Sequence, residues 1–169
     1  PEKKYSWDNF LLGCKNCNTT KGNKTIDDTN LHDYIWPDID DTYHMVQYDP
    51  VTLMPRPADN LSDADKERVN RLISLVGLNK IMPKENTRNY DEACDTRVED
   101  RIQSAIDAKH YKEEYLNLPE NMQPVYLNIM MDMIKRSNNW SIWMHEMEDI
   151  PELRAALLDL LPGTRKELF

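Results

Sequence analysis

Ser62-Asp63-Ala64-Asp65-Lys66-Glu67-Arg68-Val69-Asn70-Arg71-Leu72-Ile73-Ser74-Leu75-Val76-Gly77 is the stretch from which the fold class is read. Leu61, Val69, Leu72, Ile73 and Val76 recur at helical spacing and share one face, with charged residues between them. Ser62 or Asp63 can accept a bond from a free amide of the first turn, and Gly77 can take the left-handed conformation that ends a helix. The spacing therefore predicts a helix over 62–77, and the same period continues downstream. A second helix over roughly 91–117 places Val98, Ile102, Ala105, Ile106 and Tyr115 on one side, and Pro119 stops it. A third, about 120–137, carries Met122, Val125, Tyr126, Ile129, Met130, Met133 and Ile134. Pro124 is tolerable there because it falls in the first turn. Short helices near 140–148 and over 151–161 complete a helical C-terminal region.

Upstream of residue 60 the pattern is different. Pro37, Pro50, Pro55 and Pro57 leave no room for a helix of useful length over 27–60. His44 to Tyr48 and Val51 to Met54, on either side of Asp49-Pro50, read as a small hairpin. Residues 7–12 form a short apolar run closed by Gly13 and read as a brief strand. From Cys14 to Lys24, Gly, Asn and Thr predict a knuckle that leads into a short helix.

The chain has 169 residues and a net charge of −9. No run approaches the roughly 18 apolar residues of a membrane span, and the N-terminus lacks a signal-peptide pattern. A soluble, cytoplasmic protein without a membrane partner is expected. The acidity argues against nucleic acid wrapped over most of the surface. The charge is uneven, however: within residues 1–25, Lys3, Lys4, Lys15, Lys21 and Lys24 face only Glu2 and Asp8, so the rest of the chain is strongly acidic. A chain that opens on Pro1 rather than Met is expected to be a processed or truncated piece.

Cys14, Cys17 and Cys94 are an odd number, which disfavours a secreted disulfide framework. Cys14-Lys15-Asn16-Cys17 has three readings: a redox pair, half of a tetrahedral zinc site, or coincidence. No βαβ pattern supports the first, and no second cysteine or histidine pair completes the second. Cys94 reads as a small buried apolar residue.

The most informative segment is Trp7-Asp8-Asn9-Phe10-Leu11-Leu12-Gly13-Cys14-Lys15-Asn16-Cys17-Asn18-Thr19-Thr20-Lys21-Gly22-Asn23-Lys24. It resembles the second half of an HNH endonuclease motif, W-x-N-L before C-x-x-C-[HN]-x-x-K-G, with the family's interval from Asn9 to Asn18. Leu75-Val76-Gly77-Leu78-Asn79, Trp140-Ser141-Ile142-Trp143-Met144, Asp149 to Arg154 and Leu161 to Thr164 are similar to segments of one bacterial HNH group. That group includes the HNH component of Septu-type anti-phage systems and of retrons that carry the same effector pair. Only the first segment has strong motif content.

The resemblance implies a mainly α chain: the C-terminal half of a ββα-metal module with a zinc knuckle (1–26), an extended linker with a short hairpin (27–60), and an acidic α-helical domain (61–169). It implies a metal-dependent endonuclease acting on DNA, in which a histidine base activates water and Mg2+ or Mn2+ stabilises charge at the phosphate. Asn18 is then the metal-side residue, and Asn9 holds the loop that orients the catalytic histidine. Cys14 and Cys17 form half of a structural Zn2+ site, and Lys21, helped by Lys15 and Lys24, contacts phosphate. The implied partner is an ABC/SMC-type ATPase, with a larger hetero-oligomer in prospect.

The sequence departs from the family in one respect. The first half-motif, with its own C-x-x-C and the histidine strand, is expected before residue 1. None of His32, His44, His110 and His145 precedes Asn9, so no catalytic histidine is named, and the chain by itself is expected to be inactive. The plainer readings are a turn amide for Asn18, solvated lysines, and a solvated loop for Asp38, Asp40, Asp41 and His44. Core filling is the default for the methionines and for Trp140 and Trp143. The alternative function is a non-catalytic zinc-knuckle and helical subunit that binds an ATPase or a nucleoprotein complex.

Overall fold

The computed structural model describes residues 13–80, 95–137 and 139–160. The strand expected over 7–12, Asn9, Cys94, the first residues of the second helix, and Leu161 to Thr164 lie outside the described residues. The chain divides into two compact units, Pro1–Asp95 and Thr96–Phe169. Mainly helical architecture is as expected: seven α-helices and one two-stranded ribbon among the described residues.

In the first unit, α1 (Lys15–Lys21) is followed by a 3-10 turn (Leu31–Asp33), α2 (Thr42–Met45), β1 (Val46–Tyr48), β2 (Pro55–Pro57) and α3 (Asp63–Val76). Helix α3 has the expected ends. Ser62 Oγ accepts from Asp65 N–H at 3.2 Å, and Gly77 takes a left-handed conformation at φ 62°. Leu78 N–H closes the C-terminus on Ile73 O at 3.0 Å. Ile35, Val69 and Ile73 form the buried core, against which Met45, Val46, Leu61, Leu72 and Leu78 pack. Leu75, outside the predicted stripe, is also buried. Helix α3 touches α1, β2 and the 3-10 turn, so it is covered on more than its predicted face.

Residues 27–60 are more closely packed than an extended linker. Ile35 is fully buried, and Arg68 of α3 donates to His32 O (3.1 Å), Tyr34 O (3.0 Å) and Asp40 Oδ1 (2.8 Å). Asp40 also accepts from Trp36 N–H at 2.7 Å, and Asp41 caps α2 through His44 N–H at 3.2 Å. The acidic cluster thus satisfies backbone amides and a guanidinium. The hairpin forms with a shifted second arm, since 51–54 belong to the turn and Pro55-Arg56-Pro57 to the strand. The register places Pro57 opposite Val46, Arg56 opposite Gln47 and Pro55 opposite Tyr48. Ala58 N–H bonds Met45 O and Asp49 N–H bonds Met54 O, both at 2.9 Å. Hydrogen-bonded and non-bonded pairs alternate in an antiparallel ladder, so both prolines occupy positions that require no N–H.

The second unit contains α4 (Arg97–Asn117), α5 (Gln123–Arg136), α6 (Trp140–Glu146) and α7 (Pro151–Leu160). Pro124 and Pro151 lie in first turns, as expected. Helix α4 packs chiefly on α6, and α5 touches α4, α6 and α7. Trp143, Met130, Ile134, Met144, Met147 and Leu153 are fully buried. The inward face of α4 is rotated from the predicted one: Val98, Arg101, Ser104, Ala108 and Tyr115 are buried, whereas Ile102 and Ile106 are 40% and 56% exposed. On α5, Met130 and Ile134 point inward while Val125, Ile129 and the N-cap residue Met122 are exposed. Lys112 ties α4 to the end of α6, donating to Glu146 O and Asp149 Oδ1, each at 2.7 Å. The Lys112 ammonium holds the Asp149 carboxyl below its ordinary range. Burial and the Glu114 carboxylate, to which Tyr126 Oη donates, push the Tyr126 phenol up.

Candidate functional site

Helix α1 starts one residue after Cys14, so the Cys-x-x-Cys turn is its opening turn. Cys14 is the N-cap residue, in extended backbone at φ −64°, ψ 159°, and its sulfur accepts from Cys17 N–H at 3.3 Å. The first helical bond, Asn18 N–H to Cys14 O, measures 3.0 Å, and Gly22 N–H closes the helix on Asn18 O at 2.9 Å. Gly22 sits at φ 53°, a conformation that a side chain disfavours, so the Lys21-Gly22 step is also where the helix ends.

At 100° per residue, Cys14, Cys17, Asn18 and Lys21 fall within one narrow arc of α1. The opposite side holds the helix in place. Asn16 Nδ2 donates to Asp95 Oδ1 at 3.2 Å, and Thr20 lies so close to α3 that a Cβ on Gly77 would meet its methyl at 2.8 Å. With that side docked, the arc faces outward: Cys14 and Asn18 are exposed, and Cys17 and Lys21 are half-buried. The Asn18 amide leans back over the start of the helix, its Oδ1 3.8 Å from where a Gly13 Cβ would stand. Lys15 and Lys24, both exposed, lie off the arc, one on the flank of α1 and the other beyond its end. None of the three lysines is paired with a carboxylate among the described residues.

The two sulfurs are 3.1 Å apart, too far for a covalent S–S bond of about 2.05 Å. Tetrahedral zinc with Zn–S bonds of about 2.3 Å separates its sulfurs by about 3.8 Å. A small rotation of either side chain reaches that spacing, so the pair fits half of a zinc site. Among the described residues, no group of three or more Cys, His, Asp or Glu converges to hold a metal. The amide oxygen of Asn18 is a hard donor suited to Mg2+ or Mn2+.

Asn9 is outside the described residues, so its distance from Asn18 is not part of this geometry. Asp41 and His44, read from the sequence as part of a solvated loop, form one arrangement: His44 Nδ1 lies 2.7 Å from Asp41 Oδ2, a carboxylate-oriented imidazole packed T-shaped against the Tyr43 ring. Its sequence signal was the three-residue interval on a helix start, the same interval that made Asp41 a capping residue. No protein-family model, curated protein or solved structure matches the chain.

Proposed function

We propose that the chain is part of a metal-dependent HNH endonuclease that hydrolyses phosphodiester bonds of DNA, acting as the nuclease effector of a bacterial anti-phage complex with an ABC/SMC-type ATPase. The observation that carries this reading is the outward arc of α1, where Cys14, Cys17, Asn18 and Lys21 stand together in the order of the HNH half-motif. In this reading Cys14 and Cys17 hold Zn2+, which fixes the start of α1, and Asn18 offers its amide oxygen to the catalytic cation. Lys21, with Lys15 and Lys24 around it, attracts the phosphate backbone. A bound Mg2+ or Mn2+ supplies charge stabilisation at the scissile phosphate. Asn9 orients the loop of the base, and no histidine of this chain is assigned as that base.

The test is cleavage of plasmid DNA by the natural full-length protein with Mg2+ or Mn2+, with and without chelator. Cleavage that chelator abolishes is the expected result, and its absence under every metal condition contradicts the reading. Elemental analysis is expected to find about one zinc per chain. Zinc without cleavage favours the second reading, a zinc-knuckle and helical subunit that binds an ATPase or nucleoprotein complex. The exposed Val125 and Ile129 of α5, with Met122 at its N-cap, favour it, since apolar faces of this kind are common at protein interfaces.

A further inference from the structure

The helical unit contains a cleft of about 310 Å3, at the small end of the range for ligand pockets, between α4, the end of α5 and the start of α6. Its lining has unused hydrogen-bonding capacity of both kinds. Ser104 Oγ accepts from Asn139 Nδ2 at 3.1 Å, and Ser137 Oγ accepts from the Asn139 backbone N–H at 3.2 Å. The two hydroxyls share a single bond of 3.3 Å. Two hydroxyl protons are present and that bond uses one, so whichever serine donates, the other still has a proton to give. Where the spare proton is on Ser104, which is 92% buried, leaving it unused is costly. Trp143, 1% exposed, also lines the cleft, and its Nε1–H has no acceptor among the described residues.

Charge is unbalanced in the same way. Arg136 lines the cleft without a carboxylate partner among the described residues. Among the described residues, Asp100 and Asp107 accept only from neutral donors, Thr96 Oγ1 at 2.9 Å and Gln103 Nε2 at 2.8 Å. Asp100 is explained by its place in the first turn of α4, where the helix dipole favours an acid, but Asp107 is in mid-helix. Spare donors with a cation and spare carboxylates in one small cleft match a ligand that carries an anionic and a cationic group a few bonds apart.

We propose that this cleft binds a free α-amino acid, its carboxylate taken by Arg136 and the Ser104–Ser137 hydroxyls and its ammonium by Asp107 and Asp100. The size of the cleft suits a small occupant, and its two-signed lining disfavours a simple anion or amine. The reading is independent of the nuclease proposal.

The test is thermal unfolding of the intact protein with each of the twenty amino acids at about 10 mM, beside propionate and propylamine as singly charged fragments. At least one amino acid is expected to raise the melting temperature, and neither fragment to match it. Arg136→Gln and Asp107→Asn, both surface changes, are expected to keep the unliganded melting temperature and weaken binding about tenfold or more. In the NMR spectrum the Trp143 indole N–H signal is expected to move on titration with the amino acid that binds. The proposal is overturned if no amino acid raises the melting temperature, if either fragment does so equally, or if both variants bind as well as the parent.

Discussion

Gly77 combines two constraints that only glycine meets. Its φ of 62° is left-handed, and the Thr20 methyl stands 2.8 Å from the position a Cβ would take. Gly77→Ala is therefore expected to cost at least about 1–2 kcal/mol from backbone strain alone, measured by urea unfolding. Because the contact is with α1, the same substitution is expected to disturb the arc that carries Asn18 and Lys21. Arg68 is the other residue on which much depends. It serves two carbonyls and the carboxylates of Asp40 and Asp65, and its side chain is 28% and that of Asp40 14% exposed. Removing it takes the guanidinium from all four acceptors, two of them backbone carbonyls, and Arg68→Ala is expected to destabilise by about 2–3 kcal/mol. A loss under about 0.5 kcal/mol, the usual effect at an ordinary surface site, contradicts the role given to it.

At the scale of elements, the helices were legible where local signals agreed. Ser62, Gly77, Pro124 and Pro151 marked helix ends correctly because capping and proline geometry act within a few residues. The inward face of α4 was not legible. The predicted stripe through Ile102, Ala105 and Ile106 and the observed one through Arg101, Ser104 and Ala108 are both helical, Val98 and Tyr115 are common to the two, and the polar partners of the second are on other elements. Ser104 meets Ser137 and Asn139, and Lys112 meets Glu146 and Asp149, contacts between residues more than thirty positions apart. The packing of Ile35 and Asp40 onto α3 was hidden for the same reason. Of the candidate site, the common face of Cys14, Cys17, Asn18 and Lys21 followed from spacing once α1 began at Lys15, whereas the docking of its reverse side through Asn16 and Thr20 did not. These assignments predict contrasting variants: Ile106→Glu within about 0.5 kcal/mol of the parent, and Ile35→Ala less stable by about 3 kcal/mol. Chemical denaturation of the two variants under one set of conditions checks both.

At the scale of the molecule, stability depends on acid through its carboxylates. Thr52 holds Asp49, Ser62 holds Asp65 and Lys112 holds Asp149 in the ionised form, each below its usual carboxylate range. A carboxyl whose folded pKa is depressed is protonated more readily in the unfolded chain. Its contribution is complete above the unfolded value, near 3.8, and is lost as pH falls through the folded value. The urea midpoint is expected to be level in its carboxylate dependence down to about pH 5 and to fall below about pH 4; a midpoint that rises in that acid range contradicts the assignment. The same acidity belongs to the body of the chain, while the lysines around α1 form the basic end at which DNA is proposed to bind. The measurement that bears most directly on that proposal is DNA cleavage by the natural full-length protein and its Asn18→Ala variant across a titration of Mg2+ and Mn2+. Asn18 is exposed, so the variant is expected to fold as the parent does. The account predicts cleavage that rises with metal in the parent and is about 100-fold slower or more in the variant; equal rates at every metal concentration contradict it.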